Sequence, residues 1–151
     1  MIYVLDTSVV LLSLLNERFD TFFGATYRQA GNDLVISAVS EGELWSLAFQ
    51  RQWGSSRQQK LASSLSQFIV YPVKVQSVVQ GYARIDAFSQ GKLADKPLPP
   101  GLSARNMGKN DLWIAATAYV LGAELLTFDQ DFVHLEGTFC GLTRFNVEAY
   151  R

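Results

Sequence analysis

The chain has 151 residues, about the length of one domain, and 48% of them are hydrophobic, which is ordinary for a globular protein. Its 13 basic and 14 acidic residues give a formal net charge of −1, so no global basic field marks a nucleic-acid-binding protein. No apolar run reaches the roughly 18 residues needed to cross a bilayer, and we expect no membrane association.

Apolar runs and residues spaced three or four apart predict short strands that alternate with helices. In chain order, the pattern predicts a strand at 2–5, helices at 9–16 and 18–31, a strand at 34–37, helices at 40–54 and 55–68, a strand at 69–73, a helix at 75–91, a loop at 96–110, a helix at 111–123, a strand at 124–128 and an edge strand at 143–147.

This alternation predicts the fold class. Strands joined by helices pair in parallel through right-handed crossovers, so we expect an α/β protein, a three-layer α/β/α sandwich with a short, mainly parallel central sheet. The chain has no internal repeat or linker, and the loop at 96–110 fits a site-forming segment better than a boundary. We therefore predict one domain over residues 1–151.

Acidic residues occur where the predicted strands and helices meet. Asp6 follows the first strand, and Glu43 lies in the first predicted turn after the second. Asp111 opens the helix that leads into the fourth strand, and Asp129 and Asp131 follow that strand. These junctions lie at the carboxyl edge of a parallel sheet, where open α/β proteins bind ligands.

Each acid also has a purely structural interpretation. Asp6 is a possible helix N-cap, and Glu43 has the capping-box spacing from Ser40. Asp111 is able to offset the helix dipole with Asn110 as the cap, and the two acids after the fourth strand suit a turn. Capping does not explain why four junctions on one edge carry acids. Crowded carboxylates repel one another unless a cation neutralises them, which favours a metal site.

The scarcity of histidine and cysteine limits which metal ions this site can bind. His134 and Cys140 are each the only residue of their kind, too few for a zinc site, and a lone cysteine fits a reducing cytoplasm. The N-terminus has no signal-peptide pattern, so we expect a cytoplasmic protein. Oxygen ligands favour Mg²⁺ or Mn²⁺. Without a nucleotide-binding Gly-rich loop, the natural reaction is phosphodiester hydrolysis.

Four motifs in this order, "VLDTSVV", "ISAVSEGEL", "KNDLWIAATA" and "LLTFDQDF", resemble those of PIN-domain ribonucleases, especially the VapC-type toxins of bacterial type II toxin–antitoxin systems. The resemblance implies metal-binding and catalytic roles for Asp6, Glu43, Asp111 and Asp129, with Asp131 as an accessory or alternative metal ligand. It also implies small polar residues that hydrogen-bond the acids or the metal-bound water, namely Thr7, Ser8, Asn110 and Thr127.

The implied activity is Mg²⁺- or Mn²⁺-dependent endonucleolytic cleavage of RNA, with a metal-activated water attacking the phosphate. The resemblance also implies a homodimer, and a cognate antitoxin whose C-terminal segment covers the site. Arg105 and Lys109 precede Asp111 in the loop that leads to the metal edge, so we expect them to contact RNA phosphates.

Two other classes of function are open to the sequence. One is a catalytically degenerate PIN fold that binds RNA or protein, although a pure binder has little reason to keep the full set of acids. The other is a phosphoaspartyl receiver or phosphatase. The phosphatase pattern needs an acid where Ser8 stands, and a receiver needs one at the end of the strand at 69–73, so this class is disfavoured.

Overall fold

The computed structural model describes all 151 residues. Five strands and six α-helices form the fold, with two short 3₁₀ helices after β4 and at the C-terminus. The elements are β1 (Ile2–Leu5), α1 (Thr7–Leu15), α2 (Glu17–Tyr27), β2 (Asp33–Ser37), α3 (Ala38–Gln50), α4 (Ser55–Leu65), β3 (Ile69–Tyr71), α5 (Gln76–Ser89), α6 (Lys109–Leu121), β4 (Glu124–Thr127), a 3₁₀ helix (Gln130–Leu135), β5 (Gly141–Arg144) and a second 3₁₀ helix (Val147–Tyr150). No helix combines the length and apolar character required to span a membrane.

The strands form one sheet in the order β3-β2-β1-β4-β5, and every pair is parallel. β1 is central, with Tyr3 opposite Leu34 of β2 on one side and Glu124 of β4 on the other. The parallel sheet of the sequence-based prediction is confirmed. Because all strands point the same way, the residues that follow β1, β2, β4 and β5 meet at one edge.

Helices cover both faces of this sheet and enclose two separate cores. On one face, α5 and α6 bury Ile85, Phe88 and Ile114 against the sheet. On the other face, α1 to α4 bury a second cluster that includes Phe19 and Phe23. Burying large apolar side chains on both faces stabilises the sheet by roughly 1.5–3 kcal/mol per side chain. The predicted three-layer α/β/α sandwich is confirmed.

The start of α3 differs from the prediction. The helix follows β2 without a connecting loop, and Ser37 is its N-cap, with the Ser37 hydroxyl accepting a hydrogen bond from the Val39 amide at 3.1 Å. The predicted capping box of Ser40 and Glu43 is therefore wrong, and Glu43 lies in the second turn rather than the first. Both side chains are left to interact with α1.

The start of α6 and the last strand also differ. Gly108 occupies the N-cap position, so Asn110 is the second residue of α6 and not its cap, and the predicted loop ends two residues early. Asp111, as the third helical residue, still lies in the first turn. β5 spans Gly141–Arg144 instead of 143–147, which places Arg144 at its carboxyl end.

Candidate active site

Four of the predicted acids line one open cleft of about 510 Å³ at the carboxyl edge of the sheet. Asp6 directly follows β1, Asp129 is two residues beyond β4, and Asp111 and Glu43 project from the first and second turns of their helices. Two strand ends and two helices therefore contribute acids to a single cleft. The sequence-based expectation that these acids lie together agrees with this placement.

Asp6 is a buried carboxylate held by hydroxyl groups. Its side chain is 6% exposed, and its Oδ2 accepts hydrogen bonds from Thr127 Oγ1 at 2.8 Å and from Ser8 Oγ at 3.2 Å. Although Asp6 occupies the N-cap position of α1, its side chain makes no capping bond. Burial raises the pKa of Asp6, because desolvation disfavours the charged carboxylate. Helix capping therefore does not explain this acid.

Thr127 ties Asp6 to the segment that carries Asp129. The Thr127 hydroxyl donates to Asp6 and accepts a hydrogen bond from the Asp129 backbone amide at 2.9 Å. Thr127 is fully buried, so both bonds form away from solvent. The side chain thus fixes the separation of two acids that come from neighbouring strands β1 and β4.

Glu43 is positioned by a second hydroxyl pair. Its Oε1 lies 2.7 Å from Thr7 Oγ1, which in turn lies 2.9 Å from the buried Ser40 Oγ. A carboxylate only accepts hydrogen bonds, so the single Thr7 proton points to Glu43 and the Ser40 hydroxyl donates to Thr7. The first residue of α1 therefore orients the acid of α3.

Asp111 lies among the other acids and is strongly perturbed. Burial, then the negative charges of Asp6, Asp129 and Asp131, raise the pKa of Asp111 to about 7. Glu43 adds a smaller effect of the same sign. Near neutral pH, ionisation of Asp111 is therefore unfavourable in the metal-free protein.

Asp129 and Asp131 complete the cluster. Oxygens of Asp111, Asp129 and Asp131 lie within 4.8 Å of one another. The predicted turn role of Asp129 is also present, because its Oδ1 accepts a hydrogen bond from the Asp131 amide at 2.9 Å at the start of the 3₁₀ helix. Asp131 is exposed and lines a neighbouring pocket rather than the main cleft. A turn role and a ligand role are compatible, since each carboxylate has two oxygens.

The donor set fits a hard divalent cation. None of the clustered carboxylates is paired with a basic side chain, because the three ion pairs of the protein, Arg28–Asp20, Arg84–Asp95 and Arg151–Glu148, lie elsewhere. Mg²⁺ and Mn²⁺ favour carboxylate oxygens and water. The buried, unneutralised Asp6 and the close oxygens of Asp111, Asp129 and Asp131 therefore match such an ion.

Three of the predicted polar residues lie away from the main cleft. Asn110 is exposed and its side chain makes no hydrogen bond within the protein, and Lys109 is exposed and does not line the cleft. Arg105 lines a separate pocket of about 310 Å³ that also contains Asp131. By contrast, Thr7 and Ser8 line the cleft itself, as the sequence motifs suggested.

The cleft also contains residues that sequence reasoning missed, namely Phe128, Gln130 and Arg144. Arg144 ends β5 opposite Thr127 of β4, so its backbone lies one strand spacing from the Thr127 bridge. No local sequence signal marks this position, because β5 is defined by its pairing with β4, which ends the strand at residue 144. The predicted boundaries of 143–147 placed it at the strand's opposite end instead.

His134 belongs to the interior and not to the cleft. It is 5% exposed, stacks against Phe88, and its Nε2 lies 2.7 Å from the buried Ser89 Oγ. Burial lowers the pKa of His134 to about 4, so the imidazole is neutral at physiological pH. It serves to pack the 3₁₀ helix that carries Asp131 against the end of α5.

Comparison with known proteins places this geometry in context. The family model described as the PIN domain matches residues 3–137. No curated protein matched the chain. Solved structures give close likenesses in fold. VapBC2 from Rickettsia felis, bound to a DNA fragment from its promoter, is 20% identical with a TM-score of 0.74, covering 97% of this chain and 100% of that one.

Two further solved structures have the same architecture. VapBC-1 from nontypeable Haemophilus influenzae is 24% identical with a TM-score of 0.71, covering 95% of this chain and 98% of that one. VapBC-5 from Mycobacterium tuberculosis, a member of the VapBC family of toxin–antitoxin systems, is 23% identical with a TM-score of 0.60 and covers the same shares. At these identities the likeness shows a shared fold along nearly the whole chain.

Proposed function

Because the chain belongs to the PIN-domain family, we propose that it is a metal-dependent endoribonuclease and the toxin of a type II toxin–antitoxin pair. The observation that carries the proposal is the cluster of carboxylates at one sheet edge without a basic partner among them. Repulsion among these carboxylates destabilises a metal-free protein. The same carboxylates can hold the metal ions with which an enzyme hydrolyses phosphodiesters. The fold of the VapBC structures supports an antitoxin partner.

Asp111 and Asp129 belong both to the cleft and to the close oxygen cluster, so we assign them the central ligand positions. Asp6 and Glu43 line the same cleft, and Asp131 belongs to the close oxygen cluster, so we assign these three as further ligands, with Glu43 as an alternative base. When bound, Mg²⁺ or Mn²⁺ would neutralise these charges and lower the pKa of a coordinated water.

The surrounding hydroxyl groups have a separate role. Thr127 and Ser8 hold the Asp6 carboxylate through its Oδ2. Thr7 holds one oxygen of Glu43 in the same way. A ligand set fixed before the ion arrives loses less side-chain entropy on binding and keeps its geometry during the reaction.

A cleavage assay tests the proposal. The wild-type protein should cut RNA internally with Mg²⁺ or Mn²⁺ and lose that activity with EDTA. Asp6→Asn and Asp111→Asn should each lower the rate by two orders of magnitude or more, as loss of a ligand does in metal sites. Asp33→Asn is the matched control, because Asp33 is exposed at the opposite end of β2. Unchanged cleavage in the two site variants would refute the metal mechanism.

The partners form a second part of the proposal. We place the protein in the cytoplasm as a homodimer that a cognate antitoxin silences by covering the cleft. Sedimentation of the purified chain tests the dimer, and co-expression with the protein encoded by the neighbouring reading frame tests the antitoxin. A nuclease that stays fully active when bound to that protein would contradict silencing at the cleft.

A further inference from the structure

Arg144 is the only basic residue among the nine that line the acidic cleft. The other charged residues of that lining are Asp6, Glu43, Asp111 and Asp129, all negative. Arg144 is exposed and forms no ion pair, although carboxylates share the same cleft. Its guanidinium therefore remains free for an anion from outside the protein.

The backbone that carries Arg144 is rigidly placed. Residue 144 pairs with Thr127 in the β4–β5 register, and the next amide, of Phe145, donates to the Thr127 carbonyl at 2.8 Å. The Phe145 ring packs against Phe19 and Phe128. Arg144 thus lies at a strand end that is fixed by pairing with β4 and by packing of the next residue, and its pairing partner Thr127 also binds Asp6.

We propose that Arg144 binds a phosphate of the RNA strand next to the bond that is cut. An arginine suits this task, because its planar guanidinium donates two parallel hydrogen bonds to phosphate oxygens. Carboxylates that the metal ion does not neutralise repel a polyanionic strand, and a basic side chain in the same cleft offsets that repulsion. This inference rests on the proposed ribonuclease function and adds a substrate contact to it.

A second basic residue, Arg105, lies in a pocket next to one of the acids. Arg105 lines the pocket that contains Asp131, and this pocket shares no lining residue with the main cleft. Asp111 and Asp129 line the cleft of Arg144, and Asp131 lines the pocket of Arg105, so the close oxygen cluster links the two pockets. An RNA strand that occupies both pockets would pass the cluster and have one arginine available in each pocket.

Binding measurements separate the contact from the reaction. A fluorescently labelled single-stranded RNA is titrated with protein in Ca²⁺, which replaces Mg²⁺ and allows binding without turnover, at several salt concentrations. Arg144→Gln should weaken binding about tenfold, the size of one charged hydrogen-bonded contact, and reduce the salt slope by about 0.7. Arg144→Lys keeps the charge and should restore the salt slope but only part of the affinity.

The control and the kinetics complete the test. Arg51→Gln removes an exposed arginine at the end of α3 that has no ion pair and should leave binding unchanged. With Mg²⁺, Arg144→Gln should raise KM more than it lowers kcat, at an unchanged melting temperature. If the wild-type protein cuts RNA but Arg144→Gln binds RNA with unchanged affinity and salt slope, the proposed phosphate contact is wrong. A wild-type protein that neither binds nor cuts RNA would overturn the proposed function itself.

Discussion

Replacing Asp111 by Asn should stabilise the metal-free protein at pH 8, although it removes a proposed ligand. The pKa of Asp111 is raised from 3.8 to about 7, a shift of about three units, and each unit corresponds to about 1.4 kcal/mol. Above pH 7 the ionised group therefore costs the folded state about 4 kcal/mol as an upper limit. Asp111 is half-buried, and solvent screening reduces the expected gain to about 2 kcal/mol.

The raised pKa of Asp111 determines how its effect on the free energy of unfolding changes with pH. The folded-state pKa lies above the unfolded value, so the folded protein holds the Asp111 proton between about pH 4 and 7 when the unfolded chain has lost it. The destabilisation by Asp111 therefore grows as the pH rises through this window. At pH 5, the gain in the free energy of unfolding from Asp111→Asn should be less than half of the gain at pH 8.

Urea denaturation with EDTA at both pH values measures these differences. Asp33→Asn serves as the control for loss of one exposed carboxylate and should change stability by less than about 0.5 kcal/mol at either pH. Two results would refute the reasoning: no gain for Asp111→Asn at pH 8, or an equal gain at pH 5. Either would mean that crowding of the acids does not strain the metal-free fold.

Three further predictions concern metal binding, hydroxyl positioning and the buried histidine. Saturating Mn²⁺ should raise the melting temperature of the wild-type protein and have a much smaller effect on Asp111→Asn, measured by thermal denaturation. Thr127→Val should lower both cleavage and stability, the latter by about 1–3 kcal/mol, because Asp6 and the Asp129 amide lose a buried partner, whereas Thr127→Ser should retain most of both. Because the pKa of His134 is lowered to about 4, its neutral form stabilises the fold above the unfolded pKa of 6.5, and about 2 kcal/mol of this should be lost at pH 5. His134→Asn should lack that loss in urea denaturation, and an unchanged pH profile would contradict the assignment.

The edge that carries the acids could be predicted because two simple patterns coincide there. Asp6 and Asp129 follow short apolar runs, and polar residues at such positions mark the ends of buried strands. Parallel pairing then places those ends together whatever the details of the helices. The prediction that the acids lie together therefore holds although the predicted position of Glu43 along α3 is wrong.

The boundaries could not be predicted for a physical reason. Ser37 and Ser40 are both competent N-caps, and the choice between them depends on β2 passing directly into α3, which tertiary pairing decides. Likewise β5, with the sequence "GLTR", has no apolar run of its own and forms because β4 offers an open edge. The position of Arg144 in the cleft follows from that pairing and has no local sequence signal.

The hydrogen bond between Thr127 and Asp6 joins residues 121 positions apart. β4 pairs with β1 on one side and β5 on the other, so the first and last motifs meet only after β4 has been synthesised. A chain on the ribosome that has extended through α5 already contains Asp6, Ser8 and Glu43 but lacks Asp111, Asp129 and the Thr127 hydroxyl that donates to Asp6. The order of the strands therefore delays assembly of the proposed metal site until β4 and the acids that follow it have been synthesised.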